Sequence, residues 1–169
     1  NKAKSIEIKT NLIGEHNIRN VLSAYLVVDS LNESKTYFCN NLIFNNKNLS
    51  RQKKYKWINS STLIDDSYNA NPDSVKKGID YLSKIAKRRV LILGDMLELG
   101  RYRRKYHKEI GIYSKENGVN IMIGFGNLVK YSIDSFGRGG HYFTSSDELV
   151  KFLKKIIKKN DLILLKGSR

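Results

Sequence analysis

The chain has 169 residues, of which 40% are hydrophobic, enough for one domain with a buried core and part of a second. It contains no apolar run of about 18 residues, and its amino-terminal stretch lacks a secretory hydrophobic core, so we expect a cytoplasmic protein with no membrane contact. Cys39 is the single cysteine, which excludes an intrachain disulfide and a thiolate zinc cluster.

The net charge of +15, from 31 basic and 16 acidic residues, is large enough to suggest nucleic-acid binding. The distribution of the charge argues against that function, because the basic residues fall into separate clusters. One cluster repeats at helical spacing opposite Leu149, Leu153 and Ile156, which is typical of a solvated helix face. We therefore expect no nucleic-acid partner, although a basic surface would help to gather anionic substrates.

Near the amino terminus, the alternation from Ser5 to Lys9 predicts a short strand, and a helix is expected after Gly14. The apolar residues of this helix are expected on one side: Ile18, Val21, Leu22, Tyr25 and Val28. Asn17 and Asn20 lie three positions apart, so both can face the same neighbour. They could bind a ligand, or they could belong to a polar turn that caps the helix.

The chain is organised around a strand, a polar loop and a helix between positions 61 and 85. The β-prone run 61–64 ends in Asp65 and Asp66, and Pro72 then opens a helical pattern. The apolar side of that pattern consists of Val75, Ile79, Leu82 and Ile85. In open α/β sheets such a loop lies at the carboxyl end of a strand, where ligands bind. The two carboxylates could equally be caps that complement the helix dipole.

Strands and helices alternate through the rest of the chain. Besides strands at 55–59 and 61–65, the pattern predicts strands at 89–94, 120–124, 141–143 and 161–165, and helices at 107–117, at 127–136 and from Ser145 onward. His107 stands alone on its helix without metal-ligand spacing, so we interpret it as structural. The fold class predicted is α/β, a Rossmann-like, mainly parallel sheet with helices on both faces.

Motifs in this chain resemble, in the family's order, those of the ATP-dependent Mur ligases of peptidoglycan synthesis. Three blocks carry the resemblance: Asp65-Asp66-Ser67-Tyr68-Asn69-Ala70-Asn71, Gly94-Asp95-Met96-Leu97-Glu98-Leu99-Gly100 and Lys166-Gly167-Ser168-Arg169. Gly14-Glu15-His16-Asn17, with Asn20, matches a further block of the family. Within the family, the chain is most similar to the branch that adds D-alanyl-D-alanine to UDP-N-acetylmuramoyl-tripeptide.

The resemblance implies a domain organisation and a reaction. Residues 1–50 would be the end of a central ATP-binding domain and a linker, and residues 51–169 the carboxy-terminal Rossmann-like domain. ATP would phosphorylate the tripeptide carboxylate with the help of Mg²⁺, and the D-alanyl-D-alanine amine would attack the acyl phosphate. The family's P-loop and metal ligands lie upstream of these motifs. We therefore expect this segment to supply nucleotide and dipeptide contacts, to be inactive alone, and to be monomeric.

On the nucleotide side, the resemblance implies roles for residues of both segments. Asn17 and Asn20 would contact adenine, and His16 would either touch the nucleotide or hold its turn. Asp66 would accept hydrogen bonds from the ribose hydroxyls, with Asp65 as the candidate if the register differs by one. Two further residues are expected here: Asn69 at the nucleotide and Arg51 at the γ-phosphate. Arg51 follows a serine where the family has glycine, so it could instead be an ordinary linker charge.

On the substrate side, Tyr68 and Asn71 would line the cleft. Asp95, or else Glu98, would face the dipeptide ammonium, although Glu98 could simply pair with the arginines that follow it. The remaining two candidates, Lys166 and Arg169, are basic and would pair with substrate carboxylates. Lys166 is predicted as catalytic together with Arg51.

Two alternatives remain open from the sequence. A sibling amide ligase that adds diaminopimelate or lysine, or a folylpolyglutamate-type enzyme, would carry a different loop in place of residues 66–71. A non-catalytic basic binding module is supported by the net charge alone.

Overall fold

The computed structural model describes residues 6–12, 15–42, 53–85 and 88–168, without the side chain of His16. These residues belong to two compact units, residues 1–49 and 50–169. Arg51 and Arg169 lie outside the described residues, so their proposed roles stay predictions. Among the described residues, no helix is long and apolar enough to cross a bilayer.

The described part of the first unit contains two helices, α1 (Glu15–Ser30) and α2 (Lys35–Asn40). The rings of Tyr25 and Phe38 pack at a centroid distance of 6.1 Å and join the helices. The strand expected at 5–9 is wrong, because residues 6–10 have no regular structure. A strand needs a partner for its backbone groups, and the described part of this unit contains no other strand.

Helix α1 has two apolar faces instead of the single face predicted. Val21 is buried, and Tyr25 and Val28 are half-buried. The other predicted members of the face, Ile18 and Leu22, are 53% and 50% exposed. Together with Leu26, which is 64% exposed, they form a solvent-facing stripe at a spacing of four residues.

The second unit is an α/β domain with a single six-stranded sheet in the order β1-β2-β6-β3-β4-β5. Its strands are β1 (Lys53–Lys56), β2 (Thr62–Asp66), β3 (Arg89–Gly94), β4 (Ile121–Phe125), β5 (Gly140–Phe143) and β6 (Leu162–Lys166). Its helices are α3 (Pro72–Ile85), α4 (Arg103–Glu116), α5 (Lys130–Phe136) and α6 (Ser146–Ile156). Every strand pair is parallel except β1 with β2. The predicted fold class is therefore confirmed.

Alternate residues of the strands build a hydrophobic core on each face of the sheet. Leu91 and Leu93 point to the face covered by α3, α4 and α5, while Val90 and Ile92 point to the face covered by α6. This alternation follows from the strand pleat, which sends successive side chains to opposite faces. The central strands are buried on both sides and leave only their ends available for polar chemistry.

Three helices differ in detail from their predicted form, and one of them is α4, which begins at Arg103 and not at His107. Val75, Ile79 and Leu82 are buried as expected, but Ile85 is 53% exposed at the end of α3. Helix α5 begins at Lys130 and not near Asn127, because residues 127–129 form a turn whose backbone amides bind a side chain of another loop. That side chain belongs to the candidate site.

Candidate functional site

Polar loops meet at the edge of the sheet where β2, β6 and β3 end. These three strands are adjacent and parallel, so their carboxyl ends lie at the same edge. The β2–α3 loop (residues 67–71), the β3–α4 loop (residues 95–99) and the segment 167–168 after β6 therefore converge. Ligands of open α/β sheets bind at this edge. The structure thus brings together the described residues of the three motifs.

An ion pair between Lys166 and Asp66 lies at the base of the site. The two residues are direct partners in the β2–β6 register, so the pleat places their side chains next to each other on the same face. Lys166 Nζ donates to Asp66 Oδ2 at 2.8 Å and to Asn69 O at 3.2 Å. The side chains are 2% and 16% exposed, respectively. The expectation that Lys166 faces a substrate carboxylate is thereby corrected, because its ammonium is enclosed and already paired.

Asp95 also has a partner other than the one expected from the sequence. Its Oδ2 accepts from Asn127 N at 2.9 Å, and its Oδ1 accepts from Leu128 N and Val129 N, each at 2.8 Å. The carboxylate therefore binds three backbone amides of the turn before α5. The proposal that Asp95 faces the dipeptide ammonium is corrected accordingly, since these amides already fill three of the roughly four acceptor sites of the carboxylate.

Two glycines let β6 and β3 end in close contact. A β-carbon added to Gly94 would lie 3.3 Å from Gly167 Cα, and one added to Gly167 would lie 3.4 Å from Gly94 Cα. Both distances are at or below the limit of ordinary van der Waals contact. The absence of side chains at both positions therefore keeps the β2–α3 and β3–α4 loops close to the segment after β6.

Ser168 contacts both loops through one hydroxyl group. Its Oγ lies 3.1 Å from Asn69 Oδ1 and 3.0 Å from Ala70 O, and it accepts from Ala70 N at 3.3 Å. On the other side it accepts from Leu97 N at 3.2 Å. We drew no role for Ser168 from the sequence, although its place between Lys166 and Arg169 in a family motif was a signal that could have drawn attention to it.

Other residues of the β2–α3 loop divide into structural and outward-facing groups. Asp65 Oδ1 accepts from the Ser67 amide at 3.1 Å and from its hydroxyl at 2.6 Å, which closes a local turn. Asn71 Oδ1 accepts from Ser74 N at 2.8 Å, so this oxygen caps α3 instead of facing a substrate. Tyr68 and Asn69 are exposed.

His107 supports the β3–α4 loop from inside the protein. It is fully buried, its Nε2 accepts from Met96 N at 3.1 Å, and its Nδ1 lies 2.7 Å from Arg103 O. These contacts require a neutral ring with the proton on Nδ1. Burial lowers the pKa of His107 and outweighs the opposing effects of the Arg103 carbonyl and the Asp95 charge. The structural interpretation of His107 is confirmed.

The start of α4 adds positive charge to this edge of the sheet. Its first turn has no acidic residue, and four exposed basic residues lie within it or just before it: Arg101, Arg103, Arg104 and Lys105. Cations near a helix amino terminus oppose the helix dipole, so this arrangement is locally unfavourable for stability. It also produces a positive potential that attracts anions to the edge. Glu98 is exposed in the same region, and within the described ranges it makes no ion pair with these arginines.

The two asparagines predicted to contact adenine lie on α1, in the first unit. Asn20 Nδ2 is 3.5 Å from Asn17 Oδ1, so both amides share one side of the helix. Throughout the part of the chain that the structure describes, no group of three or more His, Cys, Asp or Glu side chains could hold a metal ion.

The sheet and its converging polar loops define a Rossmann-like α/β domain. The family model described as "Mur ligase, glutamate ligase domain" matches residues 51–169. The chain belongs to the Mur ligase family.

Curated relatives align with almost the whole chain. The protein from Buchnera aphidicola subsp. Baizongia pistaciae is 36% identical over 97% of this chain, and that from Haemophilus influenzae is 32% identical over 97%. Both are named UDP-N-acetylmuramoyl-tripeptide–D-alanyl-D-alanine ligase. The alignments cover 36% and 37% of those proteins, so the chain spans little more than a third of their length.

Solved structures show the same fold. A MurF structure from Acinetobacter baumannii superposes with a TM-score of 0.80 at 22% identity, covering 96% of this chain and 36% of that chain. MurF from Thermotoga maritima, solved in complex with ADP, superposes with a TM-score of 0.74 at 20% identity, covering 92% and 35%. At these identities the comparison supports the fold alone.

The Lys166–Asp66 pair leads to a stability prediction. Lys166→Met should lower the free energy of unfolding of this domain by about 3 kcal/mol, because it leaves a largely buried carboxylate without its counter-charge. Asp66→Asn should cost a similar amount, since the buried ammonium then loses its partner. The double variant should lose clearly less than the sum of the two, as measured by urea unfolding in a double-mutant cycle. Additive losses would show that the two charges do not depend on each other.

His107 leads to a prediction about pH. Burial lowers the pKa of His107 in the folded state below its ordinary value of 6.5. On acidification, the unfolded chain therefore takes up the proton at a higher pH than the folded protein does. The free energy of unfolding should therefore be fully retained above pH 6.5 and fall as the pH decreases toward the folded-state pKa. His107→Gln should flatten this acid-side slope in urea unfolding series, whereas the control His141→Gln should keep it. An unchanged slope in His107→Gln would assign the pH dependence to other groups.

Proposed function

We propose that this chain is part of an ATP-dependent ligase that adds D-alanyl-D-alanine to UDP-N-acetylmuramoyl-tripeptide. The observation that carries the proposal is the alignment of 97% of the chain, at 36% and 32% identity, with two ligases of that name. The loop motif 65–71, which would differ in a sibling ligase, supports the same choice of substrate. In this reaction ATP supplies the phosphoryl group that activates the tripeptide carboxylate as an acyl phosphate.

On the nucleotide side, we assign the ribose contact to Asp66 and an adjacent contact to Asn69. Asp66 uses Oδ2 for Lys166, but a carboxylate has two oxygens and about four acceptor sites, so acceptor capacity remains for a sugar hydroxyl. Lys166 orients the carboxylate through its hydrogen bond to Oδ2. Asn17 and Asn20 are assigned to the adenine, where an amide can both donate and accept.

On the peptide side, Glu98 replaces Asp95 as the residue assigned to the dipeptide ammonium. Glu98 is exposed in the β3–α4 loop, at the edge where ligands are expected. Its backbone has a φ of 60°, a left-handed conformation that a residue other than glycine adopts at a cost. Tyr68, 43% exposed, is assigned to the wall of the cleft. The basic start of α4 would attract the substrate carboxylates and diphosphate to this edge.

We assign residues 1–50 to the nucleotide-binding domain of the ligase. The exposed stripe on α1 supports this assignment, because contiguous exposed apolar side chains on a protein surface commonly mark an interface. Ile18, Leu22 and Leu26 would then pack against the remainder of that domain. The P-loop and the magnesium ligands are placed in the same domain by this proposal.

The proposed activity predicts a specific substrate preference. The full-length protein should release ADP when supplied with UDP-N-acetylmuramoyl-tripeptide and D-alanyl-D-alanine, and the rate should fall to background without the dipeptide. Diaminopimelate or lysine in place of the dipeptide should support little turnover, with UDP-N-acetylmuramoyl-dipeptide as the matched acceptor for those two. Equal or greater turnover with either amino acid would identify a sibling ligase instead.

The ribose assignment predicts how the enzyme treats a nucleotide without sugar hydroxyls. Wild-type enzyme should have a kcat/KM for ATP about 10 to 100 times that for 2′,3′-dideoxy-ATP, the range expected for hydrogen bonds to a charged group. Asp66→Ala should remove most of this preference, whatever its effect on overall activity. Because both nucleotides are compared in the same variant, a general loss of stability cancels. A preference that survives in Asp66→Ala would assign the ribose to another residue.

A further inference from the structure

The hydroxyl of Ser168 has an unusually complete set of partners. A hydroxyl offers one donor proton and two acceptor lone pairs. Ser168 Oγ accepts from Leu97 N at 3.2 Å and, at 3.3 Å, from Ala70 N, whose shorter hydrogen bond goes to Asn69 Oδ1 at 2.8 Å. Its proton is within reach of two acceptors, Asn69 Oδ1 at 3.1 Å and Ala70 O at 3.0 Å. The hydroxyl is therefore hydrogen-bonded to groups of two different loops.

The backbone around Ser168 strengthens this connection. Ser168 N donates to Asp95 O at 3.0 Å, which ties the residue to the first position of the β3–α4 loop. Directly before it, Gly167 allows close approach to Gly94. Lys166 binds the β2–α3 loop, because its Nζ donates to Asn69 O at 3.2 Å. The two loops are thus joined through the three residues 166–168 at the end of β6.

We propose that Ser168 is a positioning residue whose hydroxyl couples the β2–α3 loop to the β3–α4 loop and fixes the distance between them. The inference rests on the proposed function in one respect: the first loop is assigned to the nucleotide and the second to the dipeptide. The nucleotide that phosphorylates the tripeptide and the dipeptide that attacks the resulting acyl phosphate would then be held at one separation by a single hydrogen-bonded group. Small errors in such a separation reduce reaction rates strongly.

Coupling predicts that removing one hydroxyl loosens both loops together. Amide hydrogen exchange of the full-length protein should become roughly tenfold faster at Leu97 and in peptides covering residues 68–71 of Ser168→Ala, the scale of one lost hydrogen bond. Ser168→Thr keeps the hydroxyl and should exchange like the wild type. The matched control is Ser135→Ala, which removes a hydroxyl bonded to Tyr131 O within α5 and should leave both loops unchanged. Faster exchange in one loop only, or in neither, would overturn the proposal.

A second pair of variants separates the hydroxyl from packing. Ser168→Thr and Ser168→Val have nearly the same shape and differ in the hydroxyl group. Both loops should exchange faster in the valine variant than in the threonine variant. If both variants loosen the loops equally, the effect is due to packing and the proposed coupling is wrong. This comparison also decides the question if Ser168→Ala does not fold.

Kinetics test the consequence for the reaction. In the full-length enzyme, Ser168→Ala should lower kcat by about 10- to 100-fold, and Ser168→Thr should restore most of it. Unchanged kcat in a variant with loosened loops would overturn the positioning role. If the wild-type enzyme does not turn over D-alanyl-D-alanine, the proposed function fails, while the exchange measurements still decide whether Ser168 couples the loops.

Discussion

The ion pair between Lys166 and Asp66 is the constraint on which the rest of the site depends. Burying the side chain of Lys166, which is 2% exposed, is costly unless a counter-charge accompanies it, because a charge loses its favourable interactions with water. The parallel register of β2 and β6 places Asp66 beside it, and Asn69 O adds a second acceptor. These contacts therefore fix the position of the β2–α3 loop where β2 and β6 end, and they do not require a bound ligand.

The sequence predicted the fold well where local pattern and burial agree. The strand predicted at 89–94 is β3 from Arg89 to Gly94, because an uninterrupted apolar run bounded by basic residues and a glycine has few alternatives. Ser145 caps α6, since its hydroxyl accepts from Glu148 N at 3.4 Å. Asn59 and Ser60, which lie between β1 and β2, adopt left-handed φ values of 54° and 56°, a conformation common for polar residues in turns. Each of these features depends on neighbours that are close in the chain.

The errors concern contacts between distant segments. Asp95 looked like a ligand because it is acidic and follows a strand, but its partners are backbone amides more than 30 residues away. Every residue except proline has a backbone amide, so the sequence could not indicate which amides bind Asp95. Lys166 looked like a surface cation for the same reason: its burial depends on the insertion of β6 between β2 and β3. No role was predicted for Ser168, because a serine hydroxyl can serve many purposes and only the positions of its neighbours show which groups it binds.

Part of the large positive charge serves a purpose unrelated to ligands. Strand β1 forms one margin of the sheet, and three of its four residues are lysines: Lys53, Lys54 and Lys56. An open margin presents unpaired peptide groups to which a strand of another molecule could add, and lysines there oppose such pairing by repulsion and by the cost of desolvation. These lysines therefore protect the protein from self-association through its sheet. At high protein concentration, the same repulsion would disfavour the addition of a strand from a second copy to β1.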